Sequence, residues 1–338
     1  MAEATIRDVA RQAQLSVASV SRALNGHKSV RPETRARIVA VANQLGYVPH
    51  AGARSLSMAR SNAIGVVLPD LHGEFFSEIV RGMDREATRN GLQLLLSNMH
   101  PDPVQAGQVL RAMHGRVDGL LIMCPQMQSD EWVASLPRGL PTIFLNAAGA
   151  IPGRPSVQID NRVGAAVIAR HFAELGRRSI VHIAGPERNG DARERRAGFE
   201  EAMAQHAPDA QIVVLYGDFK EESGRAAAEE ILARGIKVDA VFAANDMMAV
   251  GCLQALKAAG VRVPEDVAVA GFDDVPIARY LDLTTARIGI ADIGSRAVVR
   301  LTDWIDGASQ DAAIETYTPE LVVRGTTGGV GSLAGVAA

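Results

Sequence analysis

Apolar residues recur at helical spacing three times near the start of the chain. Val9, Ala10 and Ala13 share one face of a first short helix, and Val20, Ala23 and Leu24 one face of a second. Ile38, Val41, Ala42 and Leu45 do the same for a third. The punctuation agrees. Thr5 and Asp8 have capping-box spacing, Ser16 suits the cap of the second helix, Pro32 opens the third and Gly46 stops it. From Asn62 onward the pattern changes to continuous apolar runs, AIGVVLP, LQLLLS, VDGLLIM and PTIFLN, then SIVHIAG, IVVLYG, VDAVFAA and VAVAGFD, alternating with amphipathic stretches. Such alternation predicts parallel sheets. RVDGLLIM at 116–123 is echoed by KVDAVFAA at 237–244, each after an amphipathic helix. The echo predicts two similar α/β halves, with a cleft between them where small ligands meet the carboxyl ends of strands.

Charge divides along the same line. The 338 residues carry a net charge of only -3, but residues 1–60 hold nine cations against three anions, a net of +6, leaving -9 for the remainder. A basic head on an acidic body fits phosphate contact at one end. The start of the chain has no secretory apolar region and no run approaches a membrane span, so a cytoplasmic protein is expected. Cys124 and Cys252, far apart in apolar stretches, read as buried free thiols. No phosphate loop, nucleophile elbow, metal-ligand spacing or cofactor motif is found, which argues against an enzyme. Gly329, Gly331 and Gly335 lack a following helix and read as a disordered tail, and Trp304 reads as core packing.

Three helices in about 45 residues make a helix-turn-helix head, whose second helix presents Val17, Ala18, Ser21 and Arg22 outward. Arg22 can bond a guanine edge bidentately, whereas Val17 and Ala18 can only touch thymine methyls. The serine-capped helix start offers backbone N–H groups to phosphate. Between Pro49 and Met58 runs PHAGARSLSM, a helix too short and too weakened by Gly52 to stand alone, which is expected to fold only on DNA.

The head resembles that of the lactose-repressor (LacI) family, whose pattern is met by Thr5, Ile6, Asp8, Val9, Ala10, Ser16, Ser19, Val20, Ser21, Arg22, Leu24 and Asn25. It continues through Thr34, Arg35 and Ile38 to Leu45, Gly46, Tyr47 and Pro49, then Ala53, Arg54 and Leu56. Arg31 and His50 depart from it, standing where a serine-like cap and an asparagine are usual. The resemblance implies DNA contacts at Thr5, Ser16, Val17, Ala18, Ser19, Ser21, Arg22, Asn25, Thr34 and Tyr47, and at Ala53 and Leu56 of a hinge helix. Paired hinges in a homodimer would enter the minor groove, with Leu56 wedged between base steps.

The body resembles the same family and the periplasmic sugar-binding proteins through Ala184-Gly185-Pro186, Arg195 with Gly198 and Phe199, Ala244-Asn245-Asp246 and Gly271 to Asp274. It implies an α/β chain in which the head (1–46) and hinge (47–60) precede a two-subdomain, periplasmic-binding-protein-like core (61–327). The N-subdomain is expected at about 61–160 and 291–318, the C-subdomain at about 161–290 and 319–327, and a tail at 328–338. Effector contacts carry over to Arg195, Asn245 and Asp273, with Asn146 where some members have an acid. This is a hydroxyl-reading set. Phe75 or Phe76, and Phe219, could stack on a sugar or flat ring, and Asp246 reads as a helix cap. The expected function is a regulator, most often a repressor in this family, with double-stranded operator DNA and a small sugar-like effector as partners. A purine-type corepressor, an activator and a solute-binding protein are the alternatives. Leucine heptads are lacking after Arg324, which argues against a tail-mediated tetramer.

Overall fold

Thr5 leaves an extended stretch with its N–H and hydroxyl both donating to Asp8 Oδ2, at 3.0 and 2.6 Å, so α1 (Ile6–Ala13) starts on a fixed corner. Those bonds hold the Asp8 carboxyl below its ordinary pKa. Gln14 turns the chain in the left-handed region (φ 53°), and Ser16 Oγ accepts from Ser19 N at 3.1 Å to open α2 (Val17–Leu24). The third helix, α3 (Pro32–Gln44), begins without a side-chain cap at Arg31. Val9, Ala10, Ala13, Val20, Ala23, Ile38 and Ala42 close a small core, with Leu24, Val41, Leu45 and Tyr47 half-buried against it.

The computed structural model describes residues 4–25, 29–47, 60–71, 73–99, 102–125, 135–146, 154–308 and 313–328. The chain divides into two compact units, Met1–Ala63 with Gly115–Asp118, and Ile64–His114 with Gly119–Ala338. Most of the expected hinge, Ala53 and Leu56 included, and the tail beyond Gly328 lie outside the described residues.

The larger unit is built on two sheets, as the apolar runs require. In the first, strands β1 (Ala63–Leu68), β2 (Gln93–Asn98), β3 (Gly119–Met123), β4 (Thr142–Leu145), β5 (Ser156–Ile159) and β11 (Ile314–Tyr317) lie in the order β11-β5-β4-β3-β1-β2. In the second, β6 (Ser179–Ala184), β7 (Gln211–Tyr216), β8 (Ala240–Ala243), β9 (Ala268–Asp273), β10 (Thr284–Arg287) and β12 (Glu320–Val322) lie in the order β12-β10-β9-β8-β6-β7. The recorded registers are parallel except for β10 against β12. The chain changes sheet after β5, after β10 and between β11 and β12.

The internal echo has a structural meaning. Asp118, just before β3, accepts from the backbone N–H groups of Ser61 and Asn62 at 2.7 and 2.8 Å. Asp239, just before β8, accepts from those of Arg178 and Ser179 at 2.9 and 3.1 Å. Each aspartate thereby satisfies the backbone donors at the start of the neighbouring strand, β1 or β6.

Between the sheets and their helices runs an apolar core in which His182 stacks on Phe242, ring centroids 4.7 Å apart. Burial drives this imidazole down to about 4, so it stays neutral and donates from Nδ1 to the Phe242 carbonyl at 3.0 Å. Trp304 packs at the core margin. Cys124 and Cys252 are free and buried, and burial pushes both thiols up to about 12, which disfavours the thiolate.

Candidate functional site

The head presents two kinds of surface. Ser16, Val17, Ala18 and Arg22 are exposed, Val17 by 42% of its surface. An apolar side chain left open at a helix start is spare contact area, since the head's core is closed without it. Arg22 is folded back, its Nε donating to Ala18 O at 3.3 Å. Ser19, Ser21, Asn25, Thr34 and Tyr47 are half-buried, and Tyr47 serves the head's core as well as its surface. Thr5 is exposed but committed to Asp8.

In the larger unit the carboxyl ends of the strands enclose a cleft of about 190 Å³. Arg195, Phe219, Asn245 and Asp273 line one wall and Phe75 and Phe76 the other; with Phe75 or Phe76 counted once, five of the six side chains implied for the effector converge there. The sixth, Asn146, does not reach the wall. Its Oδ1 accepts from Ile159 N at 3.0 Å and its Nδ2 lies 3.4 Å from Asp191 Oδ2, so it stands behind Asp191 and braces it.

Arg195 sits in the helix Gly190–His206 and is 4% exposed. It donates from Nε to Asn161 Oδ1 at 2.8 Å and from Nη1 to Ala244 O at 2.6 Å, while Nη2 lies 3.3 Å from Asp273 Oδ1. Its guanidinium carbon is 3.8 Å from the centroid of the Phe272 ring. The cation is thus the joint between two helices and two strand ends, not a loose ligand hook.

Asp273 ends β9 in the left-handed region (φ 114°), followed by Asp274 (φ 57°). Burial raises the Asp273 carboxyl to about 7 although Arg195 opposes it. Its Oδ1 takes no hydrogen bond. Asp191, which also lines the cleft, is raised too by burial, against the pull of Arg195, Asn161 and Asn146.

Asn245 caps the helix Asp246–Ala258, accepting from Met248 N at 3.0 Å, and its Nδ2 donates to Phe219 O at 3.0 Å. This corrects the expectation for Asp246. Its carboxylate accepts from Thr285 Oγ1 at 2.6 Å and Val275 N at 2.9 Å, tying the loop after β9 to β10. Phe219 is held at φ 70° with its ring over Gly185, where any Cβ would collide with it. Phe75 and Phe76 meet edge to face, centroids 5.2 Å apart.

Besides Asn146–Asp191, two further hydrogen bonds among the described residues join one half to the other across the cleft. Glu74 Oε2 accepts from Ile277 N at 2.9 Å, and Gly190 N donates to Pro125 O at 2.8 Å. Asp191, Glu74, Asn161 and Asn189 escaped the reading of the sequence. Asn189 carried a signal, being a good N-cap before a helical pattern, and it accepts from Ala192 N at 3.0 Å. Among the described residues there is no cluster of His, Cys, Asp and Glu able to hold a metal ion.

The profile of "Bacterial regulatory proteins, lacI family" matches residues 5–50, and that of "Periplasmic binding protein-like domain" matches residues 169–327. Over 330 residues the chain is 32% identical to the HTH-type transcriptional repressor PurR of Photobacterium profundum, covering 95% of this chain and 98% of the relative. It is 34% identical to the HTH-type transcriptional regulator GalS of Salmonella typhimurium, covering 95% of each. The solved lac repressor dimer bound to operator and the anti-inducer ONPF superposes with a TM-score of 0.86 at 28% identity, covering 96% of this chain and 99% of that one.

Proposed function

The chain belongs to the LacI family of bacterial regulatory proteins, and from that premise we propose that it represses transcription by reading a pseudo-palindromic operator as a homodimer, released when a small sugar or sugar-derived effector fills the cleft. The observation that carries this is the convergence of Arg195, Asp273, Phe219 and Phe75 in one cleft of a chain whose head leaves Val17, Ala18 and Arg22 open. Arg22 reads a guanine, Val17 and Ala18 fit thymine methyls, and Ser16 with the α2 N-terminus holds phosphate. Ala53 and Leu56 belong to the hinge that folds on DNA.

An effector that prefers one arrangement of the halves shifts the population by that preference alone. The Glu74–Ile277 and Pro125–Gly190 bonds are the contacts such a shift remakes. Pairing is supported by exposed apolar side chains: Leu95 and Leu96 on the edge strand β2, 38% and 41% exposed, and Tyr280, 87% exposed. No helix among the described residues is long and apolar enough to cross a membrane, and a DNA reader works in the cytoplasm. Gel-shift with genomic fragments, repeated with candidate sugars, tests the reading: retarded fragments released by a sugar support it, and no retardation refutes it.

The aromatic rim favours a second reading, a flat nucleobase acting as corepressor. It predicts that a purine strengthens the shift.

A further inference from the structure

The balance of charge and of hydrogen-bond donors in the cleft narrows its ligand. Six carboxylates line it, Asp70, Glu74, Asp191, Asp218, Glu221 and Asp273, against two cations, Arg195 and Lys220. Arg195 is compensated within the wall by Asp273, and its Nε and one Nη1 hydrogen are spent on Asn161 and Ala244. The oxygens of the two lining amides are committed as well. Asn245 Oδ1 accepts from Met248 N and Asn189 Oδ1 from Ala192 N, while Asn245 Nδ2 donates one hydrogen to Phe219 O. What remains available is mostly acceptors. The clearest is Asp273, 4% exposed and lining the cleft, whose Oδ1 has the Arg195 ion pair at 3.3 Å but no other partner.

A phosphate or carboxylate is acceptor-only and negatively charged, so in this cleft it would meet lone pairs and like charge in a partly dried space, where both are costly. A ring carrying hydroxyl or amine donors fits the complementary need: its O–H or N–H groups go to Asp191 and Asp273, and its face goes to Phe75 or Phe219. We infer that the effector is an uncharged ring compound rich in hydrogen-bond donors, and that its phosphorylated or carboxylated forms are rejected. This rests on the reading of the cleft as the effector site.

The test uses the full-length protein, with thermal shift and gel-shift on a retarded genomic fragment as parallel readouts. Glucose, galactose, ribose, cellobiose, adenosine and cytidine are each compared with a phosphate ester, and the hexoses also with their uronates. At least one uncharged member is expected to raise Tm and change DNA retardation, with its anionic counterpart weaker by about tenfold or more. Asp218→Lys, at an exposed position of the rim, should narrow that gap. An anionic member acting at lower concentration than its parent overturns the inference, and so does a panel in which no uncharged member acts. Failure of the protein to retard DNA without any compound is a separate result, refuting the regulator reading whichever charge class binds.

Discussion

Arg195 Nη2 lies 3.3 Å from Asp273 Oδ1, with each side chain only 5% exposed. A buried pair of this kind is weak evidence of net stability, but breaking it leaves the other charge stranded. Arg195→Ala strands Asp273 and also unpairs Asn161 Oδ1 and Ala244 O. The expected cost is about 3–5 kcal/mol, measured by urea unfolding of the chain. Operator binding by whatever folds should persist while the effector response vanishes. A loss under about 1 kcal/mol would mean that the joint is not structural.

Asp273 supplies a pH signature. Burial raises its pKa from 3.8 to about 7, so between those values the folded chain holds a proton that the unfolded chain has released. Its contribution to stability therefore falls as pH rises through that window. The Tm difference between Asp273→Asn and the parent should become more favourable to the variant as pH rises across it. Effector hydroxyls donating to the carboxylate favour its charged form, so affinity should rise with pH up to about 7 and then level. Calorimetry in buffers of different ionisation enthalpy should show proton release on binding near neutrality. A pH-independent affinity would remove Asp273 from the contact.

Arg22, exposed on α2, is proposed to read a base edge. Arg22→Ala should cost about 1–3 kcal/mol in operator affinity and relax preference at one symmetric position in a binding-site selection. Unchanged preference would reduce Arg22 to a phosphate contact.

Tyr280 is 87% exposed and Leu96, on the edge strand β2, 41% exposed, apolar area that the proposed pairing would cover. The Leu96→Lys, Tyr280→Lys double variant should sediment as a folded monomer and bind operator far more weakly. Sedimentation indistinguishable from the parent would place the pairing surface elsewhere.

The head and the sheets were legible because apolar periodicity, caps and turn glycines act locally: Val9, Val20 and Ile38 could be assigned to one core by spacing alone. Arg195 and Asp273 were legible only through family motifs. What the sequence hid was the division of labour among polar groups. Nothing in its spacing distinguishes Asn146, bracing Asp191 from behind the wall, from a ligand contact, because the answer depends on where Ile159 N points. Asn245 and Asp246 are neighbours of opposite destiny for the same reason: one caps its own helix, the other reaches Thr285 and Val275 across the fold. Asp191 was missed since an acid in a first helical turn is ordinary until burial and Arg195 surround it.

Occupancy of the cleft is proposed to set operator affinity. This is tested most directly by fluorescence anisotropy of labelled genomic operator titrated with the full-length protein, with and without the compound that raises its Tm, for the parent and for Asp273→Asn. The compound should shift the parent's operator Kd by about tenfold or more and leave that of Asp273→Asn nearly unchanged. A compound that stabilises the parent while its operator Kd stays the same would contradict it.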